Sequence, residues 1–240
     1  MMWKSYEELA WIEPLLQPLA SCRKEAEDVL RELEAEGGSI LHFGCGAGCW
    51  DAHWKQQVTI TGVDLSRGML QEAKKRNPEL RYMQGDMRSI QLEEVFDAVV
   101  IPDALQYMTT VEDIRKLLRN CRRHLKDGGR LLLRIYPEET YENRRFSSHA
   151  AGDPLDVTVF EEHYRLHENQ FEALYFYVIR LHGSRKVEQE THILGLFPRA
   201  KWADWLHEAG FSGLTEVEVE TARGRFLHVS STKESAPDSV

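Results

Sequence analysis

Short runs of apolar, β-prone residues recur through the first 136 positions, with stretches of helical periodicity between them. Runs at 39–43, 58–63, 80–84, 96–101 and 130–136 predict strands. The stretches 47–56, 66–76 and 111–125 predict helices, with Ser66 suited to cap the second and Asn77-Pro78 to stop it. Strands and helices alternating at these lengths predict an α/β, doubly wound parallel sheet covered on both faces.

Ahead of this core, residues 1–35 read as helix, broken by Pro14 and Pro18 and ended by Gly37-Gly38. Ala26, Val29, Leu30 and Leu33 share one helical face, which predicts a helix laid over the sheet. Behind the core, 137–155 is polar and punctuated by Pro137, Gly152 and Pro154, and reads as an entrance loop. Three β-rich runs follow at 156–166, 171–181 and 186–196, with short polar connections, which predicts an antiparallel meander. A helix over 198–209 and strands at 214–219 and 225–230 complete a seven-stranded sheet, mostly parallel with one antiparallel edge strand. The expected division is a core of 1–136 and 197–230, with 137–196 inserted as a cap over the acceptor pocket. The tail 231–240 is polar and expected to fray.

Chemistry enters at Ile40-Leu-His-Phe-Gly-Cys-Gly-Ala-Gly-Cys-Trp50, where a strand gives way to alternate glycines and then a helix. Glycines there let a ligand approach the backbone, and the following helix offers unpaired N–H groups. The next strand ends in Asp64, twenty residues after Gly44. In a doubly wound sheet that carboxylate lies beside the glycine turn and suits ribose hydroxyls. A nicotinamide dinucleotide and S-adenosyl-L-methionine both fit so far. The spacing G-x-G-x-G at Gly44, Gly46 and Gly48, rather than G-x-G-x-x-G, favours the second.

Taken in order, Leu41–Gly48, Gly62–Leu70, Gln84–Met87, Phe96–Val100 and Leu125–Leu133 resemble the class I S-adenosylmethionine-dependent methyltransferases. The resemblance implies a Rossmann-like fold. It implies that Gly44, Gly46 and Gly48 cradle the methionine end and that Asp64 binds the ribose. Leu65 and Met69 would line the adenine pocket, Asp86 and Met87 would meet the adenine edge, and Cys45 and Ile101 are further cofactor-binding candidates. The second half is similar to the amino-sugar N,N-dimethyltransferases of macrolide pathways. It shares His192-Ile-Leu-Gly-Leu-Phe197, the helix after it, Ala209-Gly-Phe211 and Arg223-Gly-Arg-Phe-Leu227. It departs from them at the N-terminal segment and at Pro102-Asp-Ala-Leu-Gln-Tyr107.

Methyl transfer from a sulfonium chiefly needs positioned partners and a group for the acceptor proton. Asp103, Tyr107 and His192 are the catalytic candidates, and Tyr6 and Tyr136 the substrate-facing ones. A formal net charge of −9 without a basic stripe argues against a nucleic-acid partner. No apolar run is long enough to span a membrane. The four cysteines, Cys22, Cys45, Cys49 and Cys121, predict no disulfide framework, and Cys45 and Cys49 read as small fillers at the turn. His163 and His167 stand about 13 Å apart on a strand, too far to share one ion, so no metal is expected. The expectation is a cytoplasmic enzyme, with a homodimer possible, that methylates N or O of a small polar metabolite. A protein or RNA methyltransferase, a non-catalytic cofactor-binding module and a nicotinamide oxidoreductase are the rival readings.

Overall fold

A computed structural model describes residues 3–221 and 224–235, and two separate sheets organise them. In the larger sheet β1 (Ser39–Phe43), β2 (Thr59–Asp64), β3 (Arg81–Gln84), β4 (Phe96–Ile101) and β5 (Leu125–Ile135) run parallel. β10 (Phe211–Thr221) and β11 (Gly224–Lys233) complete the order β10-β11-β5-β4-β1-β2-β3. β11 is antiparallel to both its neighbours, so the antiparallel strand lies one place in from the edge.

Alternation divides the central strands between two faces. Leu41, Phe43, Val99, Ile101, Leu131 and Leu133 pack with α5 (Val111–Arg123) and α6 (Arg199–Glu208). Ile40, Ala98, Val100 and Leu132 pack with α2 (Leu19–Leu33). α5 starts where Thr110 Oγ1 accepts the Asp113 N–H, and it buries Ile114, Leu117, Leu118 and Cys121 on one stripe. Each such leucine contributes about 1.5–3 kcal/mol relative to exposure. α4 (Arg67–Arg76) has Ser66 as its side-chain cap and Asn77 at its end, as the sequence predicted.

Four expectations change. The helix expected over 47–56 contracts to α3 (Asp51–Trp54), because the Asp51 carboxylate is held by His42 and Tyr82 and the Trp54 indole donates to Ala26 O. Pro14 lies in the first turn of α1 (Glu13–Leu16), so Pro18, at the cap of α2, is the proline that separates helices. The polar loop 137–155 instead contains β6 (Arg144–Ala151), which lacks an apolar face of its own and is held by pairing along β7. Cys22 and Cys49 form a disulfide with Cα atoms 6.5 Å apart. The fold brings α2 against the loop after the glycine turn, an adjacency that linear spacing does not show.

The smaller sheet is antiparallel, with β7 (Leu155–His167), β8 (Gln170–Leu181) and β9 (Ser184–Gly195) beside β6. It follows β5 and precedes α6, so it is rooted where the parallel strands end. Val157, Val159, Tyr177 and Ile179 on its inner face are covered by Leu9 and Ile12. Among the described residues no helix is long and apolar enough to cross a membrane. Arg223 of the closing motif and the last five residues of the tail lie outside the described residues.

Candidate active site

The glycine turn leaves the end of β1 with Gly44, Gly46 and Gly48 all at positive φ. A Cβ on Gly46 would meet nothing within 4 Å, so its backbone faces open space beside Asp64. One Asp64 oxygen accepts the Gly46 N–H at 2.9 Å, and the other accepts the Ser66 N–H at 2.8 Å. Each oxygen therefore keeps an acceptor site for a ligand hydroxyl. Burial pushes the Asp64 carboxyl above its ordinary value, and those N–H groups restrain the rise. The open space at Gly46 and the acceptors at Asp64 fit the nucleoside of S-adenosylmethionine.

A buried network beneath the turn holds its shape. His42 Nδ1 lies 2.6 Å from Asp51, the Tyr82 hydroxyl donates to Asp51 at 2.8 Å, and the Asn77 amide donates to Gly48 O at 2.9 Å. Sequence reading gave His42, Asp51 and Tyr82 no role and Asn77 only that of a helix stop, because a lone strand histidine gains meaning only beside its partners.

Other residues expected around the cofactor differ in what they offer. Met69 is buried with Ala10, Ala47 and Tyr6, and Leu65 is exposed at the start of the β2–α4 connection. Cys45 is buried, its thiol pushed well up by desolvation. Ile101 is fully buried and backs the site from the core. The Asp86 carboxylate is taken up by Arg88, whose Nη2 lies 2.6 Å away and whose Nη1 reaches Asp113 at 2.6 Å. Those bonds hold the Asp86 carboxyl below its usual value despite partial burial. Met87 follows it, packed at the edge of the core, its carbonyl bonded by Asn120.

The N-terminal segment crosses from the cofactor side to the smaller sheet. Ser66 Oγ donates to Tyr6 O, and the Glu7 carboxylate accepts the N–H groups of Arg67 and Gly68 at the start of α4. A Cβ on Gly68 would sit 2.5 Å from the carbonyl oxygens of Tyr6 and Glu7, so this approach needs glycine. Beyond it, the Tyr6 and Tyr107 hydroxyls bond to each other, and the Tyr107 hydroxyl lies 2.8 Å from His192 Nδ1. Glu190 Oε1 stands 3.2 Å from His192 Nε2 and accepts the Ser5 N–H at 3.1 Å. The rings of Trp3 and Tyr175 lie 4.5 and 4.8 Å from His192.

Desolvation raises both phenols well above the ordinary tyrosine range, so they stay neutral. Burial also acts to raise the Glu190 carboxyl, but His192 and Ser5 outweigh it and leave it lowered. Tyr136 joins Tyr107, Tyr141, Phe171 and Tyr175 in one aromatic group, and the buried Tyr136 and Tyr141 hydroxyls find no hydrogen-bond partner among the described residues. Asp103 is held differently, its carboxylate 2.9 Å from Arg134 Nη1. Arg134 is buried on β5, paired with Glu25 at 2.7 Å and stacked on Trp50 and Phe226. A single arginine in an apolar strand gave no sign of this in the sequence.

The model of a methyltransferase domain matches residues 40–129. Over that span the chain is similar to this family. Its glycine turn, Asp64 and Asp86 all fall inside the match. The chain is 35% identical over 104 residues to dTDP-3-amino-3,4,6-trideoxy-alpha-D-glucopyranose N,N-dimethyltransferase of Streptomyces venezuelae, covering 42% of this chain and 44% of that one. It is 34% identical over 107 residues to dTDP-4-amino-2,3,4,6-tetradeoxy-D-glucose N,N-dimethyltransferase of Saccharopolyspora spinosa, covering 44% and 43%. The alignments thus span under half the length of these relatives. Likeness of fold reaches further, beyond residues 40–129 into the smaller sheet. DesVI of Streptomyces venezuelae superposes with a TM-score of 0.79 at 23% identity, over 95% of this chain and 96% of that one. CalS10, an amino pentose methyltransferase from Micromonospora echinaspora, gives 0.77 at 23% identity, over 96% and 98%.

Proposed function

We propose that this protein is an S-adenosylmethionine-dependent methyltransferase acting on nitrogen or oxygen of a small polar metabolite. The observation that carries the reading is the placement of Tyr6, Tyr107 and His192. They meet between the methyltransferase domain, where Asp64 offers its acceptors, and the inner face of the smaller sheet. When bound, S-adenosylmethionine supplies a methyl on a positively charged sulfur that leaves as a neutral thioether. The chain's task is then to align and to receive a proton, and alignment alone contributes about 7–11 kcal/mol. The neutral Tyr6 and Tyr107 hydroxyls orient the acceptor atom. His192 takes its proton through Tyr107, and the ionised Glu190 favours the imidazolium that results.

An amine on a sugar-like metabolite is the acceptor favoured within this class. Buried Glu161, together with Glu190 and the rings of Trp3, Tyr107 and Tyr175, makes a setting for a cation. The similar proteins named above act on amino sugars. Residues 137–196 are proposed as the cap that covers this acceptor, and a cytoplasmic, dimeric enzyme belongs to the same reading.

The test is mass spectrometry of amino and hydroxy sugar nucleotides incubated with protein and S-adenosylmethionine. A gain of one or two methyl groups on the amine is expected. His192→Ala should lower kcat by about 10²-fold or more and leave S-adenosylhomocysteine affinity unchanged. Binding of NAD with no response to S-adenosylhomocysteine would sink the proposal.

A further inference from the structure

The N-terminal segment runs on from Glu7 over the glycine turn, and it is held down unevenly. Near its start Ala10 is buried against Ala47 of the turn and Met69 of α4. At its end the disulfide ties Cys22, in the first turn of α2, to Cys49, the residue directly after Gly48. Among the described residues between Ile12 and Ala26, Cys22 alone is buried. Leu15 and Leu19 on this stretch are each 42% exposed, so apolar packing does not hold it.

The two ends of the bond differ in what else restrains them. On the segment, Arg76 Nη2 donates to Gln17 O at 3.3 Å, and His53 Nε2 lies 2.8 Å from Leu19 O. Hydrogen bonds this close to water add little net stability. On the turn, Asn77 fixes Gly48 O, while His42 and Tyr82 fix Asp51 two residues after Cys49. Breaking the bond therefore leaves the turn in place and frees the segment that lies over it.

Access to the bond runs the same way. Both cysteines are buried, and Cys49 Sγ stands 3.9 Å from Gln17 O and 4.0 Å from Pro18 O. An attacking thiolate reaches it only when that stretch lifts, the movement that also uncovers the turn. The reductant is a dithiol. One of its thiolates attacks a protein sulfur and breaks the S–S bond, and its second thiol then resolves the mixed disulfide. Two electrons and two protons pass to Cys22 and Cys49, which become thiols, and the dithiol closes to its own disulfide.

We infer, resting on the proposed seat of a nucleoside beside Asp64, that the Cys22–Cys49 bond is a redox switch on cofactor affinity, closed and tight when oxidised, loose when reduced. With the segment docked in about a tenth of reduced molecules, the apparent Kd for S-adenosylhomocysteine rises about tenfold. Linkage is reciprocal, so the saturating nucleoside lowers the reduction potential of the bond by the matching amount, about 30 mV for two electrons. Calorimetry on the full chain, oxidised and after dithiothreitol, should show the tenfold loss, and reoxidation by oxidised glutathione should reverse it. Cys22→Ser and Cys49→Ser should each bind like the reduced form and ignore dithiothreitol. Hydrogen exchange should quicken over residues 13–22 of the reduced chain and stay unchanged in β1 and β4, which a general loss of folding would not produce. S-adenosylhomocysteine should slow reduction by dithiothreitol. Free thiols at both positions in the oxidised chain, equal affinity in the two forms, unchanged exchange over 13–22, or reduction indifferent to the nucleoside would each overturn the inference alone. An oxidised chain that does not bind S-adenosylhomocysteine would overturn the proposed function, and the switch with it.

Discussion

Asp64 has a double duty, and its two parts separate experimentally. Its oxygens already hold the N–H groups of Gly46 and Ser66, which fixes the carboxylate for a ligand rather than leaving it to swing. A hydrogen bond to a charged group is worth about 1.5–3 kcal/mol. Asp64→Ala should therefore weaken S-adenosylhomocysteine binding at least about tenfold by calorimetry, with the circular dichroism spectrum retained. Glu13 is the opposite case, a carboxylate without an evident task. Burial pushes it up to about 7, with Arg76 pulling back, and among the described residues its Oε2 has no hydrogen-bond partner. Its folded value lies above its unfolded one, so the stability it contributes is whole below about pH 4.5 and is lost as pH rises through about 7. Glu13→Gln should raise Tm at pH 8 and make no difference at pH 4; an equal gain at both would remove the carboxylate as the cause.

At the scale of elements, what was legible follows from where each element gets its stability. β1, β2 and β4 are buried on both faces, so Ile40–Phe43 and Ala98–Ile101 announce themselves as apolar runs. α4 and α5 carry their own capping residues, Ser66 and Thr110. β6 was illegible because Arg-Arg-Phe-Ser-Ser-His-Ala-Ala has no face of its own and depends on β7 for every pairing. The candidate site divides in the same way. The glycine turn and Asp64 are local signals, whereas Arg134 and the His42–Asp51–Tyr82 group exist only once remote strands and helices meet. The disulfide shows this most sharply, tying α2 to the glycine-turn loop across a separation of 27 residues. Chain-entropy arguments give such a closure about 3–4 kcal/mol. Reduction, or Cys22→Ser, should lower Tm by about 6–16 °C, read by differential scanning calorimetry with and without dithiothreitol. An unchanged Tm would show that the two thiols do not pair in solution.

Over the whole molecule, residues 3–7 touch both halves. Trp3 donates to Thr191 O at 3.3 Å, Lys4 pairs with Glu188 at 2.7 Å, and Ser5 bonds Glu190, while Tyr6 and Glu7 hold the start of α4. This segment is a stitch across the proposed site, and on the proposed reaction it has to loosen for a nucleoside to pass between Asp64 and His192. The consequence is kinetic. The first methyl should be moved faster than the spent nucleoside can escape, so rapid quench should reveal a burst equal in size to the enzyme present. Steady turnover should then slow as glycerol thickens the solvent, since egress and not bond making sets the pace. Gly68→Val, which leaves no room for the carbonyls of Tyr6 and Glu7, should cut the stitch and erase the burst. The same variant should hold its nucleoside more loosely, with a faster off-rate in stopped flow.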